Sequence, residues 1–93
     1  MGGYSIELTK TAKSDLKKIH KSGDIKSIKK IEKIMKDLSI DPTKGEGKPE
    51  ELKYELSGFW SRQINKKDRL IYQINNEKVS VLVVSALGHY SDK

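Results

Sequence analysis

Residues 47–72 read GKPEELKYELSGFWSRQINKKDRLIY. Within them, residues 59–64 and 69–74 alternate apolar and polar side chains on either side of a turn at Asn65–Asp68, the pattern of two paired strands. Their register decides which residues face a core. With Gln63 opposite Arg69, the set Trp60, Arg62, Ile64, Leu70, Tyr72 and Ile74 shares one face, and Ser61, Gln63, Arg69, Ile71 and Gln73 share the other. A slip of one residue mixes the two sets, so the first register is expected. It makes Arg69 a surface feature of the sheet. The same stretch holds the only Trp, the only Phe and both Arg of a chain whose other basic residues are all Lys. Arg adds a rigid fork of donors that suits phosphate and carboxylate.

Outward from this stretch, the pattern changes from strand to helix and back. Tyr4, Ile6 and Leu8 alternate with Ser5 and Glu7, which predicts a short strand over residues 4–8. Thr9 is a helix cap, and Ala12, Leu16 and Ile19 lie on one side of the helix that follows. Ser22–Gly23 breaks it, and Asp24 caps a second helix with an apolar stripe of Ile25, Ile28, Ile31, Ile34 or Met35, and Leu38. Lys26, Lys29, Lys30, Lys33 and Lys36 cover the rest of that helix, either as a solvated face or as a contact for RNA. Pro42 ends it. Residues 41–49 form a Gly-, Pro- and Lys-rich loop. Leu52, Tyr54 and Leu56 then alternate as a further strand, turned back at Ser57–Gly58. Asn75–Asn76 signals a hairpin into a last strand over residues 78–86, apolar on both faces and therefore central. The expected fold is α+β in the order β-α-α-β-β-β-β: an antiparallel sheet with the two N-terminal helices packed on one face.

The 93 residues make one domain with a modest core. Charged residues are 34% and the formal net charge is +6, which favours a polyanion as partner, with acidic protein second. There is no Cys, so the cytosol is the simplest location. No apolar run is long enough to span a bilayer. The two His residues are far apart and carboxylates are not spaced as metal ligands, so neither a metal nor another cofactor is expected.

The side chains on offer suit cleavage of RNA. A 2′-hydroxyl attacks the adjacent phosphorus once a base takes its proton, the leaving 5′-oxygen needs an acid, and the phosphorane between them needs positive charge. Glu50 is a candidate base, against the plain alternative of an exposed loop Glu. Arg69 is a candidate phosphate clamp, against a strand-edge salt bridge. His89 is a candidate acid and Tyr90 a candidate donor or stacking group, against surface and packing roles at the end of the chain. Lys53 is a second cation near Glu50. Trp60, Tyr72 and Arg62 fall on the structural side of the register, although Arg62 and Gln63, as neighbours of the site, also stand with Lys53 as substrate-contact candidates. His20, in a Lys-rich helix, is read as surface.

Read together, GEGKPEELKYELSGFWSRQINKKDRLIY and the later Gly88–His89–Tyr90 form a long and specific pattern. The chain resembles the YoeB branch of the RelE-like bacterial toxins over essentially its whole length, least so in the first helix. The resemblance implies a microbial-ribonuclease-like sheet and a ribosome-dependent endoribonuclease that cuts messenger RNA in the A site without a metal. It implies Glu50 as general base, Arg69 as transition-state stabiliser, His89 as acid, Tyr90 as accessory group and Lys53 as a phosphate contact. It also implies an acidic, partly disordered YefM- or Phd-like antitoxin as partner, and it raises a homodimer. Family members often carry a second Arg where this chain has Gln63, and basic or aromatic residues where it has Leu87 and Gly88. Two other readings stay open at this point: a relative that binds RNA or ribosomes without cutting, and a DNA-binding regulator suggested by charge alone.

Overall fold

Thr9 and Asp24 place the two helices. In the computed structural model, which describes residues 3–87, Thr9 Oγ1 accepts from the Ala12 N–H at 3.0 Å and starts α1 (Lys10–Ser22). Gly23, at φ 78°, ends α1 in the left-handed conformation that Gly adopts without steric cost. Asp24 Oδ1 accepts from the Ser27 N–H and starts α2 (Ile25–Ile40). These elements follow β1 (Ser5–Leu8) and precede β2 (Glu50–Glu51), β3 (Phe59–Gln63), β4 (Arg69–Asn75) and β5 (Ser80–Ser85).

The strands form one sheet in the order β1-β5-β4-β3-β2. The pairs β2–β3, β3–β4 and β4–β5 are antiparallel, and Gln63 faces Arg69, the register expected from the apolar pattern. The β1–β5 pair is parallel, so the sheet is mixed. Neighbouring strands joined by a hairpin must run antiparallel. β1 and β5 are separated by nearly the whole chain, so no turn constrains their direction. As expected, β5 is an interior strand.

Both helices cover one face. Ala12 and Ile19 of α1 and Ile31, Ile34 and Leu38 of α2 pack on Leu70, Tyr72, Val81 and Val83. Ile25, placed by its spacing at the head of the α2 stripe, is 59% exposed and stands outside the core. Between Ile71 and Tyr72 the β4–β5 register shifts, with Ile71 opposite Ser85 and Tyr72 opposite Val83. The extra residue, Val84, presents its carbonyl to Thr9 Oγ1–H at 2.7 Å. The shift also brings Ala86 to the core side with Val83, where its N–H donates to the buried Asp15 carboxylate at 3.0 Å.

The strand expected at Leu52, Tyr54 and Leu56 is not there. The ladder stops at Glu51, and residues 54–56 form a single 3₁₀ turn. The Leu52 N–H still donates to the Phe59 carbonyl at 2.8 Å, so residues 53–58 must make the reversal themselves. Tyr54 does so with φ 58° and points into solvent, 91% exposed. Three alternating apolar residues do not distinguish a strand from a turn that buries only the first of them. The last strand likewise begins at Ser80 and not at residue 78, because Val79 adopts φ 52° at the end of the hairpin.

Thr9 therefore joins α1 to the β5 bulge with one hydroxyl. Thr9→Val keeps its shape and removes both bonds. Urea unfolding should show a loss of about 1–2 kcal/mol, the scale of a lost cap plus a lost hydrogen bond.

Candidate functional site

The loop over residues 41–49 carries the chain from α2 to Glu50 and is built around one side chain. Arg62 of β3 has no exposed surface. Its Nη2 donates to the carbonyls of Lys44 at 2.8 Å and Asp41 at 3.3 Å, its Nη1 to that of Glu46 at 3.1 Å, and its Nε to the Tyr72 hydroxyl at 3.0 Å. The Tyr72 hydroxyl donates in turn to the Pro42 carbonyl at 2.7 Å. The Asp37 carboxylate, 3.9 Å from Nη1, is too distant for a tight ion pair and accepts the Glu46 N–H at 2.7 Å instead. Gly47, at φ 91°, lets the loop lie flat on β3: a Cβ there would meet the Gln63 carbonyl oxygen at 3.0 Å and Arg62 Cβ at 3.2 Å. Its carbonyl accepts the Gln63 N–H at 2.7 Å. Asp41 opens the loop as an Asx turn. The Thr43 hydroxyl and N–H both donate to its carboxyl and hold it below the usual carboxylate range.

This geometry corrects one expectation. Arg62 stood among the substrate-contact candidates, but it lies on the helix side of the sheet, fully buried, with its fork committed to loop carbonyls. It is the anchor of the loop. Trp60 stacks on Tyr72 beside it, ring centroids 6.5 Å apart.

The loop delivers Glu50 to the opposite face. Glu50 pairs with Ser61, Ser61 with Ile71, and Gln63 with Arg69, and residues directly opposite in antiparallel strands project to the same side. Glu50 and Lys53 are exposed; Gln63 and Arg69 are half-buried. Strand spacing and rise put the Cα atoms of Glu50 and Arg69 about 12 Å apart on a diagonal, a separation that two long side chains can span around a phosphodiester. Leu52 and Ile71 are buried on this side, apart from the main core, and form its apolar floor. The Gln63 side-chain amide reaches towards the Asn65 carbonyl at 3.5 Å. His89 and Tyr90 lie outside the described residues. Ser61, which nothing in composition singles out, also sits in this row; its one sequence signal is its place in the register, opposite Glu50.

On the helix side of the sheet, Lys30 of α2 approaches Glu46 of the loop at 3.6 Å, and Lys26, Lys29, Lys33 and Lys36 are exposed. Among the described residues, no three His, Asp or Glu side chains gather as a metal-holding group, and no helix is long and apolar enough to cross a membrane.

Residues 8–90 match the model of a family described as the YoeB-like toxin of bacterial type II toxin-antitoxin systems. The chain is 45% identical over 67 residues to Toxin YoeB of Escherichia coli O6:H1 (strain CFT073), covering 72% of this chain and 77% of that one. Its fold superposes on the YoeB/ParE toxin from Agrobacterium tumefaciens with a TM-score of 0.82 at 27% identity, over 92% of this chain and 99% of the other. It also superposes on YoeB from Staphylococcus aureus at 33% identity, over 94% of this chain and 98% of that one. The TM-score is 0.77 for the structure described as a YoeB dimer and 0.76 for the heterotetrameric YoeB–YefM complex.

The loop anchor has a signature in alkali. Burial pushes the Tyr72 phenol above its ordinary value, against the opposing pull of the Arg62 guanidinium. The folded state thus keeps a proton that the unfolded chain releases near pH 10, and this contribution is present below about pH 10 and lost as pH rises through the folded value. Tyr72→Phe should cost about 1–3 kcal/mol at neutral pH, by orphaning the Pro42 carbonyl and Arg62 Nε. The gap between wild type and variant should narrow above about pH 10. A gap independent of pH in denaturant titrations would contradict the assignment.

Proposed function

The chain belongs to the YoeB-like toxins of bacterial type II toxin–antitoxin systems, and from that premise we propose that it is a messenger-RNA endoribonuclease acting in the ribosomal A site, so that translation stops. The observation that supports this most is the register of β2, β3 and β4, in which Glu50 and Arg69 share the face opposite the helices. In the proposed reaction the Glu50 carboxylate takes the proton of a 2′-hydroxyl. The 2′-oxygen bonds to the adjacent phosphorus, and the bond from phosphorus to the 5′-oxygen breaks. Arg69 stabilises the charge of the phosphorane, Lys53 assists at the phosphate, and His89 returns a proton to the leaving 5′-oxygen. Tyr90 is an accessory donor. The products are a 2′,3′-cyclic phosphate and a 5′-hydroxyl, and the scheme calls for no metal or cofactor.

Gln63 lies beside Arg69 as a neutral amide, which leaves the phosphate with one cation fewer than an Arg there would supply. This affects rate before it affects reaction class. On translating ribosomes, primer extension should reveal discrete induced cuts in messenger RNA. Arg69→Ala and His89→Gln should each reduce them at least about tenfold, the usual scale for losing a phosphate donor or an acid. Wild-type cutting by both variants would refute the assignment of these residues. Ribosome binding without cuts by the native chain would make it a binding relative instead.

We further propose an acidic, YefM-like antitoxin as partner and a homodimer as the assembled form, both in the cytoplasm where ribosomes translate. The S. aureus relative has been solved as a YoeB–YefM complex and as a dimer, and the +6 charge of this chain complements an acidic segment. Binding of such an antitoxin should weaken at least about tenfold between roughly 0.05 and 0.5 M salt, as screening shortens the reach of exposed charges. A flat salt profile in titration calorimetry would contradict a charge-led contact.

A further inference from the structure

Ser61 holds the one buried side-chain polar atom, among the described residues, that has no hydrogen-bond partner. The residue is 1% exposed. A hydroxyl sealed from water without a partner is costly, and native folds leave few of them. Nothing in β3 itself calls for one here, since Ser is no better as a strand former than the apolar residues that would fill the same space.

The register says what the hydroxyl faces. Across the sheet on one side stands Ile71, which has no polar group to offer; on the other stands Glu50. Cβ atoms of directly opposite residues are about 5 Å apart, within reach of a short hydroxyl and a flexible carboxylate. The next polar side chain along the same face, Gln63, is turned to the Asn65 carbonyl. Glu50 is exposed and its carboxylate is solvated. We propose that Ser61 is a positioning residue for Glu50: its Oγ–H donates to the Glu50 carboxylate when that carboxylate turns in over the sheet with RNA bound. The inference rests on the reading of Glu50 as the general base.

Burial strengthens such a bond, because water does not compete for a shielded donor and the acceptor is charged. The unpaired hydroxyl of the free protein also has a direction of effect. The bond is open only to the Glu50 conformer that lies over the sheet, so it raises the fraction of bound complexes in which the base is aimed at its proton. An interaction of that kind raises kcat and leaves KM nearly unchanged.

Ser61→Ala tests this with two readouts of opposite sign. Removing an orphaned hydroxyl should leave the thermal midpoint unchanged or raise it. Single-turnover cleavage of messenger RNA on programmed ribosomes should fall about tenfold, the scale of a hydrogen bond to a charged group, with the half-saturating ribosome concentration unchanged. Added to Glu50→Ala, the substitution should cause no further loss, because the acceptor is already gone. A lower midpoint for Ser61→Ala, wild-type cleavage, or a loss that multiplies with that of Glu50→Ala would each overturn the proposal. Wild-type cleavage by Glu50→Ala alone would instead refute the reading of Glu50 on which it rests.

Discussion

A guanidinium with no contact with water holds this molecule in shape. Arg62 arises from the middle of β3, yet its donors end on three carbonyls of the loop after α2 and on the hydroxyl of Tyr72 in β4. Taking a cation out of water is unfavourable by several kcal/mol, and one long contact to Asp37 does not offset that. The compensation comes from carbonyl dipoles spread around the fork. Lys could not replace it: an ammonium is a compact point charge, whereas these oxygens approach from separate directions in the plane of the guanidinium. One side chain thereby joins the end of α2, the loop, β3 and β4.

The same strand serves the opposite face. Trp60 and Arg62 project towards the helices; Ser61 and Gln63 project away, beside Glu50 and Arg69. Scaffold and site are two sides of a single register, separated by the period-two geometry of a strand. A slip of one residue would put the anchor in solvent and the candidate site in the core. The selection of this register by Leu70, Tyr72, Val81 and Val83 is therefore also what places the charged residues of the site.

Much of this architecture is legible in the residues themselves. The Gln63–Arg69 register followed from counting apolar residues on each face, and the caps at Thr9 and Asp24 from short-range hydrogen bonding that a sequence encodes directly. Features that depend on distant partners were not legible. The parallel β1–β5 pair joins segments far apart in the chain, and the bulge at Ile71/Tyr72 appears only once β5 has a partner. The strand over Leu52, Tyr54 and Leu56 failed for a related reason: its alternation was real, but the reversal into β3 needed those residues for a turn. Within the site, Glu50 and Arg69 were found by residue type and resemblance, and geometry places them on one face. Arg62 and Arg69 are chemically identical, so composition could not separate anchor from candidate phosphate clamp; only the side of the strand does. Ser61 is not legible at all, because a lone Ser carries no signal until its surroundings are known.

Glu50 is mounted by the loop before it more than by its own strand. β2 pairs over only two residues, too few for a ladder to hold a side chain in place by itself. Its position comes from the loop before it, pinned through Arg62 and through the bond from the Gln63 N–H to the Gly47 carbonyl. A long edge strand would offer unpaired backbone groups to any passing chain, whereas a two-residue edge offers almost none. The sheet can thus end beside its candidate base without inviting strand addition. Leu52 and Ile71 are buried on the same side of the sheet as Glu50. Rigidity at the edge is supplied from the far side of the sheet, by the buried Arg62 guanidinium.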